Sequence, residues 1–168
     1  MRIQIAGMPP GPQIFDQESA ASRYVGGNDI FPQDLWIRAT LEREPDVLKV
    51  FLEVEAEASF SCDRCNDCFT RKHLCTGTIY YAFDDGEDFS TEPEQTLLPR
   101  NATEIDLAQD IRDLLILELP TKVLCDEECK GLCLNCGANL NREACSCQDK
   151  PSDPRWDALK KLRNKSTE

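Results

Sequence analysis

The sequence predicts an α+β fold: an antiparallel β-sheet built on a long hairpin and packed by one helix, with a cysteine-rich C-terminal segment and a short terminal helix. Three observations predict it. Residues 48–60 place apolar side chains at every even position, the two-residue period of a strand with one face in a core and one in water. Leu107, Ile111, Leu114 and Leu115 recur at helical spacing within residues 106–119. Residues 121–150 are rich in Cys and Asn but poor in large apolar groups, so they cannot form a core unaided.

Taken in order, residues 1–7 read as a short first strand. Residues 8–32, broken early by Pro9, Pro10, Gly11 and Pro12, read as a surface loop with a helical turn near Ser19-Ala20-Ala21. Leu35, Ile37, Ala39 and Leu41 alternate with Trp36, Arg38, Thr40 and Glu42, and Glu44-Pro45-Asp46 supplies a turn before the 48–60 strand. Together these make the hairpin. A third strand runs from Phe69 to Phe83, with Thr and Tyr residues that suit a pleated surface. The turn leading into it contains Cys62, Cys65 and Cys68, which puts the first cysteine cluster at a hairpin tip.

Asp84, Asp85, Glu87, Asp88, Glu92 and Glu94 follow as an acidic loop, read as a solvated connection. The competing reading is a docking tag for a basic partner. The helix is expected over Asp106–Leu119, with Asp106 as its cap, Gln109 completing a capping box and Pro120 ending it. Its leucines are sheet-covering core rather than a cofactor site. Ser152 or Asp153, with Pro154 in the first turn, opens a final helix. Trp156, Leu159 and Leu162 line one side of it, and Lys160, Lys161, Arg163 and Lys165 crowd its end, where positive charge suits the helix dipole.

The ten cysteines carry the chemistry. Cys133-Leu134-Asn135-Cys136-Gly137 has the zinc-knuckle pattern: two intervening residues let both sulfurs face one ion, and Gly137 permits the positive φ that aims backbone amides at sulfur. Cys145 and Cys147 supply two more thiolates and close a tetrahedron. A closed site has no open position for water, so it is structural. A redox dithiol or an iron–sulfur cluster is the alternative there. Cys62 with Cys65, and Cys125 with Cys129, each lack two ligands; together they make a second site that staples the knuckle segment to the sheet. The alternative is a single zinc, with those four left as free thiols. Cys75 reads as a small buried hydrophobe, and Cys68 as surplus or a competing ligand. The expected organisation is therefore a sheet-and-helix core over 1–120 and a zinc-binding segment with a basic helix over 121–168.

Several function classes are disfavoured. The net charge of -12 repels a nucleic-acid backbone unless positive charge gathers on one face, and it favours basic proteins as partners. Catalysis has little to work with: His73 is the single histidine, it falls within a strand, and neither a phosphate loop nor a nucleophile elbow occurs. Cys62-x-x-Cys65 lacks the βαβ setting of a redox motif. No apolar run reaches the roughly 18 residues that span a bilayer. No secretory or transit pattern opens the chain, so a cytoplasmic protein with reduced thiols is expected.

Cys62-Asp63-Arg64-Cys65 after a long strand, Glu104-Ile105-Asp106-Leu107 opening a helix, Leu119-Pro120 closing it, the run Cys129–Gly137 and the ending Asp153-Pro154-Arg155-Trp156 resemble, in that order, the YceD family of large ribosomal RNA subunit accumulation proteins. The resemblance spans nearly the whole chain and is most specific from Cys125 to Cys147. The chain departs from the family's pattern at Cys68, where proline is more usual. The resemblance implies a non-enzymatic bacterial or plastid factor needed for accumulation of large-subunit ribosomal RNA. With the charge distribution, it yields an expectation: an acidic body that holds a basic ribosomal protein, and a zinc region and basic end (Arg155, Lys160, Lys161, Arg163, Lys165) that touch ribosomal RNA or the pre-ribosomal large subunit. The same lysines also read simply as helix-end solvation. A stand-alone zinc-ribbon regulator of nucleic acid is the competing function, and a thiol redox protein a third.

Overall fold

A computed structural model describes residues 1–26, 29–84 and 96–147. The chain is α+β. The elements are β1 (Arg2–Gln4), β2 (Gln13–Ala20), α1 (Ser22–Val25), β3 (Asp34–Arg43), β4 (Val47–Ser61), β5 (Cys68–Asp84), β6 (Thr96–Pro99), β7 (Glu104–Asp106) and α2 (Ala108–Leu117). Five strands form one sheet in the order β2-β3-β4-β5-β6, and β1 pairs with β7 in a separate small sheet. All pairings are antiparallel except that of β5 with β6.

The two-residue period decides which face is buried. Val50, Leu52 and Val54 of β4 pair with Leu41, Ala39 and Ile37 of β3, and with Leu48 and Leu35 on the same faces they make a continuous inward layer, all fully buried. Helix α2 lies over this layer with Leu107, Ile111 and Leu115 buried beneath it. Leu114 sits over Gly77 of β5, where a Cβ would stand 2.9 Å from its Cδ1, so the missing side chain lets helix and sheet approach. Strand β4 pairs along its full length with β5, from Val47↔Ala82 to Ser61↔Cys68. That ladder carries the Cys62–Asp67 turn away from the core to the end of the sheet.

The structure departs from the sequence pattern at five points. The supposed loop over 8–32 contains β2, an eight-residue edge strand paired along its length with β3, and the helical turn is Ser22–Val25 rather than one near Ser19. Of the half-buried positions of β2 only Phe15 is apolar, the others being Gln13, Gln17 and Ser19, so hydrophobic alternation is weak there. The helix begins at Ala108 because Glu104–Asp106 pair with β1 instead. Asp106 still accepts the Ala108 N–H at 3.1 Å, but Gln109 bonds forward to Asp113 at 2.8 Å, so no capping box forms. Finally, Thr96–Pro99 adds a parallel strand that the sequence pattern did not reveal. Most of the acidic loop, beyond Asp84, and the whole expected terminal helix lie outside the described residues, as do Arg155, Lys160, Lys161, Arg163 and Lys165.

Candidate metal centres

Eight cysteines gather into two tetrads, Cys62, Cys65, Cys125 and Cys129, and Cys133, Cys136, Cys145 and Cys147; within each, all sulfurs lie within 4.8 Å of one another. Sulfur separations of 3.8 Å (Cys62–Cys129), 3.6 Å (Cys65–Cys125), 3.5 Å (Cys136–Cys145) and 3.2 Å (Cys133–Cys145) are far longer than a disulfide, and all ten cysteines are free thiols. A tetrahedron with metal–sulfur bonds of about 2.3 Å has edges of about 3.8 Å. Both tetrads are therefore close to the size of a four-thiolate metal site.

The first tetrad joins remote parts of the chain. Cys62 leaves the end of β4, and the turn closes with Asn66 N–H donating to the Cys62 carbonyl at 2.8 Å and Cys62 N–H donating to that of Asp67 at 2.9 Å. Asn66 takes a left-handed φ of 57° to allow it. The two residues between the cysteines grip the later segment. Asp63 N–H donates to the Val123 carbonyl at 2.8 Å, and Val123 N–H donates to the Asp63 carboxylate at 2.6 Å. The Arg64 guanidinium donates to the carbonyls of Glu127 (3.1 Å) and Cys129 (2.8 Å), and Arg71 to that of Leu124 (2.8 Å). Leu132 N–H returns to the Arg64 carbonyl at 3.1 Å. Gly131 makes this approach feasible: its φ is +76°, and a Cβ there would lie 3.0 Å from the Arg64 carbonyl oxygen. Phe69 and Leu124 pack over the cluster, leaving Cys62, Cys65 and Cys129 buried.

The second tetrad is local. Gly137 N–H donates to the Cys133 carbonyl at 2.9 Å and Gly137 has a φ of 75°. Asn135 N–H points at the Cys133 sulfur at 3.4 Å, and Cys147 N–H at the Cys145 sulfur at 3.2 Å. Cys136 and Cys147 are exposed.

The local electrostatics favour one thiolate in each group. Burial pushes the Cys62 thiol up, but backbone N–H groups of Cys125, Cys65 and Arg64 outweigh it and bring it down to about 6. The N–H groups of Cys136 and Asn135 bring Cys133 to about 6 as well. At Cys65 the Asp67 N–H pulls downward, yet burial and the neighbouring thiols win and hold it up at about 12. The Cys145 and Cys136 thiols raise Cys147 to about 12. Sulfurs this close resist joint ionisation unless a cation sits among them, which is the chemistry of a metal site.

The remaining candidates are not gathered. Cys68 is exposed, 3.7 Å from the Ser61 hydroxyl, and belongs to neither tetrad. Cys75 is fully buried in the main core, and burial raises its thiol to about 11. His73 is half-buried near Phe31, ring centroids 6.3 Å apart, with no hydrogen-bond partner for Nε2 among the described residues. Spacing pointed to the cysteines. Asp63, Arg64 and Gly131, which bind the two segments together, carried no comparable signal beyond lying inside or beside cysteine pairs.

The model of the family described as large ribosomal RNA subunit accumulation protein YceD matches residues 50–163. The chain belongs to the YceD family. It is 45% identical over 65 residues to the chloroplastic large ribosomal RNA subunit accumulation protein YCED homolog 1 of Arabidopsis thaliana, covering 39% of this chain and 20% of that protein. It is 32% identical over 111 residues to the homolog 1 protein of Zea mays, also chloroplastic (64% and 31%). An uncharacterized protein of Mycobacterium tuberculosis is 34% identical over 107 residues (63% and 51%). These matches span about half or less of each relative's length. No solved structure gives a significant match. The matched YceD region contains both tetrads and most of the long β4–β5 ladder. Among the described residues, no helix is long and apolar enough to cross a membrane.

Proposed function

We propose that this YceD chain is a zinc-binding, non-enzymatic ribosome biogenesis factor that promotes accumulation of large-subunit ribosomal RNA by binding a ribosomal protein or the pre-ribosomal large subunit. The observation that carries the reading is the pair of four-thiol clusters in a chain whose family is named for that RNA. All-sulfur tetrahedral donor sets suit zinc, and closed ones serve folding rather than catalysis. Zinc ions held by Cys62, Cys65, Cys125 and Cys129, and by Cys133, Cys136, Cys145 and Cys147, would replace the apolar interior that residues 121–147 lack. On this reading 1–120 is the sheet-and-helix body, 121–168 is the zinc segment with a basic end, and Arg155, Lys160, Lys161, Arg163 and Lys165 touch RNA or partner. Reduced thiols suit the cytoplasm.

Native mass spectrometry of the purified chain should show two zinc ions. Density-gradient fractions from cells should carry it with large-subunit precursors at low salt, and its deletion should lower large-subunit ribosomal RNA. A protein that stays at the top of the gradient, with ribosomal RNA unchanged by deletion, overturns the proposed role.

A further inference from the structure

We propose that the uncovered face of the five-stranded sheet is a docking surface for a basic, partly apolar polypeptide segment of a partner protein. The inward face lies under α2, whereas among the described residues no element packs over the outward face of β2–β5. An ordinary solvated sheet face is mostly polar. This one exposes Ile14 (63%), Leu74 (58%), Tyr80 (44%) and Phe51 (37%).

The register arranges these side chains in rows across the strands. Ile14, Thr40, Phe51 and Thr78 form an apolar and hydroxyl row. Next comes Asp16, Arg38, Glu53 and Thr76, then Glu18, Trp36, Glu55 and Leu74, and then Glu57 beside Lys72. Arg38 is already committed to Asp16, at 2.7 and 3.2 Å. Glu18, Glu55 and Glu57 have no ion-pair partner among the described residues. They and Asp34 border a cavity of about 350 Å³ that is lined also by Trp36, Leu74, Lys72 and His73.

This combination selects the occupant. Carboxylates around an apolar floor attract ammonium and guanidinium groups with aliphatic stems, and repel phosphates and a second copy of this acidic chain. The face already contains one such contact: the Arg38 guanidinium lies 4.7 Å from the Trp36 ring centroid while its nitrogens bind Asp16. An incoming Lys- or Arg-rich segment would repeat it at the unpaired carboxylates, its apolar residues covering Leu74 and Phe51. The inference rests on the ribosome-assembly reading only in that a large-subunit precursor supplies such segments; neither cysteine tetrad takes part in this surface.

The test uses the full zinc-loaded chain and a fluorescein-labelled twelve-residue peptide alternating Lys or Arg with Leu or Val, read by anisotropy at about 150 mM salt. Saturable binding is expected. Glu18→Gln, Glu55→Gln and Glu57→Gln combined should weaken it about tenfold, and Leu74→Ser should weaken it several-fold. Glu127→Gln, Glu128→Gln and Glu143→Gln combined, an equal charge change on the cysteine segment, should leave it within about twofold, with zinc content unchanged in every variant. Four outcomes overturn the proposal: no binding by the parent, equal loss in both triple variants, tighter binding of a twelve-nucleotide RNA at the same carboxylates, or a parent dimer that the first triple variant dissociates. Peptide binding without gradient co-sedimentation would sink the ribosomal role alone; co-sedimentation without peptide binding would sink this surface alone.

Discussion

Cys62-Asp63-Arg64-Cys65 and Cys133-Leu134-Asn135-Cys136 fold into the same turn. In each, the residue after the second cysteine has a left-handed φ, 57° at Asn66 and 75° at Gly137, and its N–H closes on the first cysteine's carbonyl, at 2.8 and 2.9 Å. Their surroundings differ. Asp63 and Arg64 bind the backbone of residues 123–129, and three of the four sulfurs there are buried. Leu134 is fully exposed at 102%, and Cys136 and Cys147 face solvent. The turn makes the ligand pair; the two residues inside it decide whether that pair becomes a junction or a closed loop. The first tetrad draws its sulfurs from the β4–β5 tip and a distant segment, and the second draws all four of its sulfurs from residues 133–147.

The largest expected effect follows from that asymmetry. Cys62→Ser should remove one of two zinc ions and release residues 121–147 from the sheet tip, so amide exchange rises throughout that segment and thermal stability falls. Cys133→Ser should also remove one zinc, but added exchange should stay within residues 131–147. Native mass spectrometry with peptide-resolved hydrogen exchange distinguishes the two. Identical exchange maps would mean that the tetrads form one cooperative unit and that the contrast is wrong.

Metal removal sharpens the same contrast. A chelator in excess should withdraw zinc in two phases, the exposed tetrad about tenfold faster because less structure must open to reach its sulfurs. The fast phase should be missing from Cys133→Ser and the slow phase from Cys62→Ser, as followed with a colorimetric zinc indicator. A single phase in the parent, with both ions lost together, would contradict it.

Two glycines give a smaller effect with its own internal control. Gly131 and Gly137 both have left-handed φ values, +76° and +75°, so alanine at either costs about 1–2 kcal/mol of backbone strain. Only Gly131 also faces backbone, with the Arg64 carbonyl 3.0 Å from a built Cβ; Gly137 has open space. Gly131→Ala should therefore destabilise the chain more in urea unfolding and speed zinc loss from the first tetrad. Gly137→Ala should touch only the second. Equal midpoints for the two variants would remove the close approach at Arg64 from the account.

How far these features were legible from sequence follows the same division between local pattern and remote contact. Strands β3 and β4 were plain because Leu35, Ile37, Ala39 and Leu41, and the even positions from Leu48 to Ala58, put a buried apolar side chain at every second residue. Strand β2 was hidden because an edge strand half-buries Gln13, Gln17 and Ser19 without needing an apolar side chain at each. The helix start was misplaced because Asp106 ends the strand paired with β1 rather than opening the helix, a choice made by a strand more than 100 residues away, as Arg2↔Asp106 records. Cysteine spacing told which thiols could meet, since chelating pairs are local. The bonds from Asp63 to Val123 and from Arg64 to Cys129 cross some 60 residues, and no period or spacing announces them. Gly131 looked like any loop glycine until Arg64 lay against it.

The smallest effect concerns a charged link between the two regions. Arg142, on the loop of the second tetrad, pairs with Asp67 at 3.0 Å just beyond the first tetrad's turn, and Asn139 donates to the same carboxylate at 2.9 Å. Arg142 is 71% exposed, so water and salt screen the pair, and such pairs contribute about 0–1 kcal/mol. Asn139 is half-buried, and it donates to the other Asp67 carboxylate oxygen than the one Arg142 contacts. Arg142→Ala should therefore shift urea unfolding by less than about 1 kcal/mol, with that shift vanishing in about 1 M salt and zinc content staying at its parental value. Asn139→Ala should cost more and keep its effect in salt, because a half-buried hydrogen bond is screened little. If Arg142→Ala proved the costlier of the two, or released zinc from the first tetrad, the regions would be joined by charge rather than by the buried turn at Cys62, and the asymmetry drawn between them would fail.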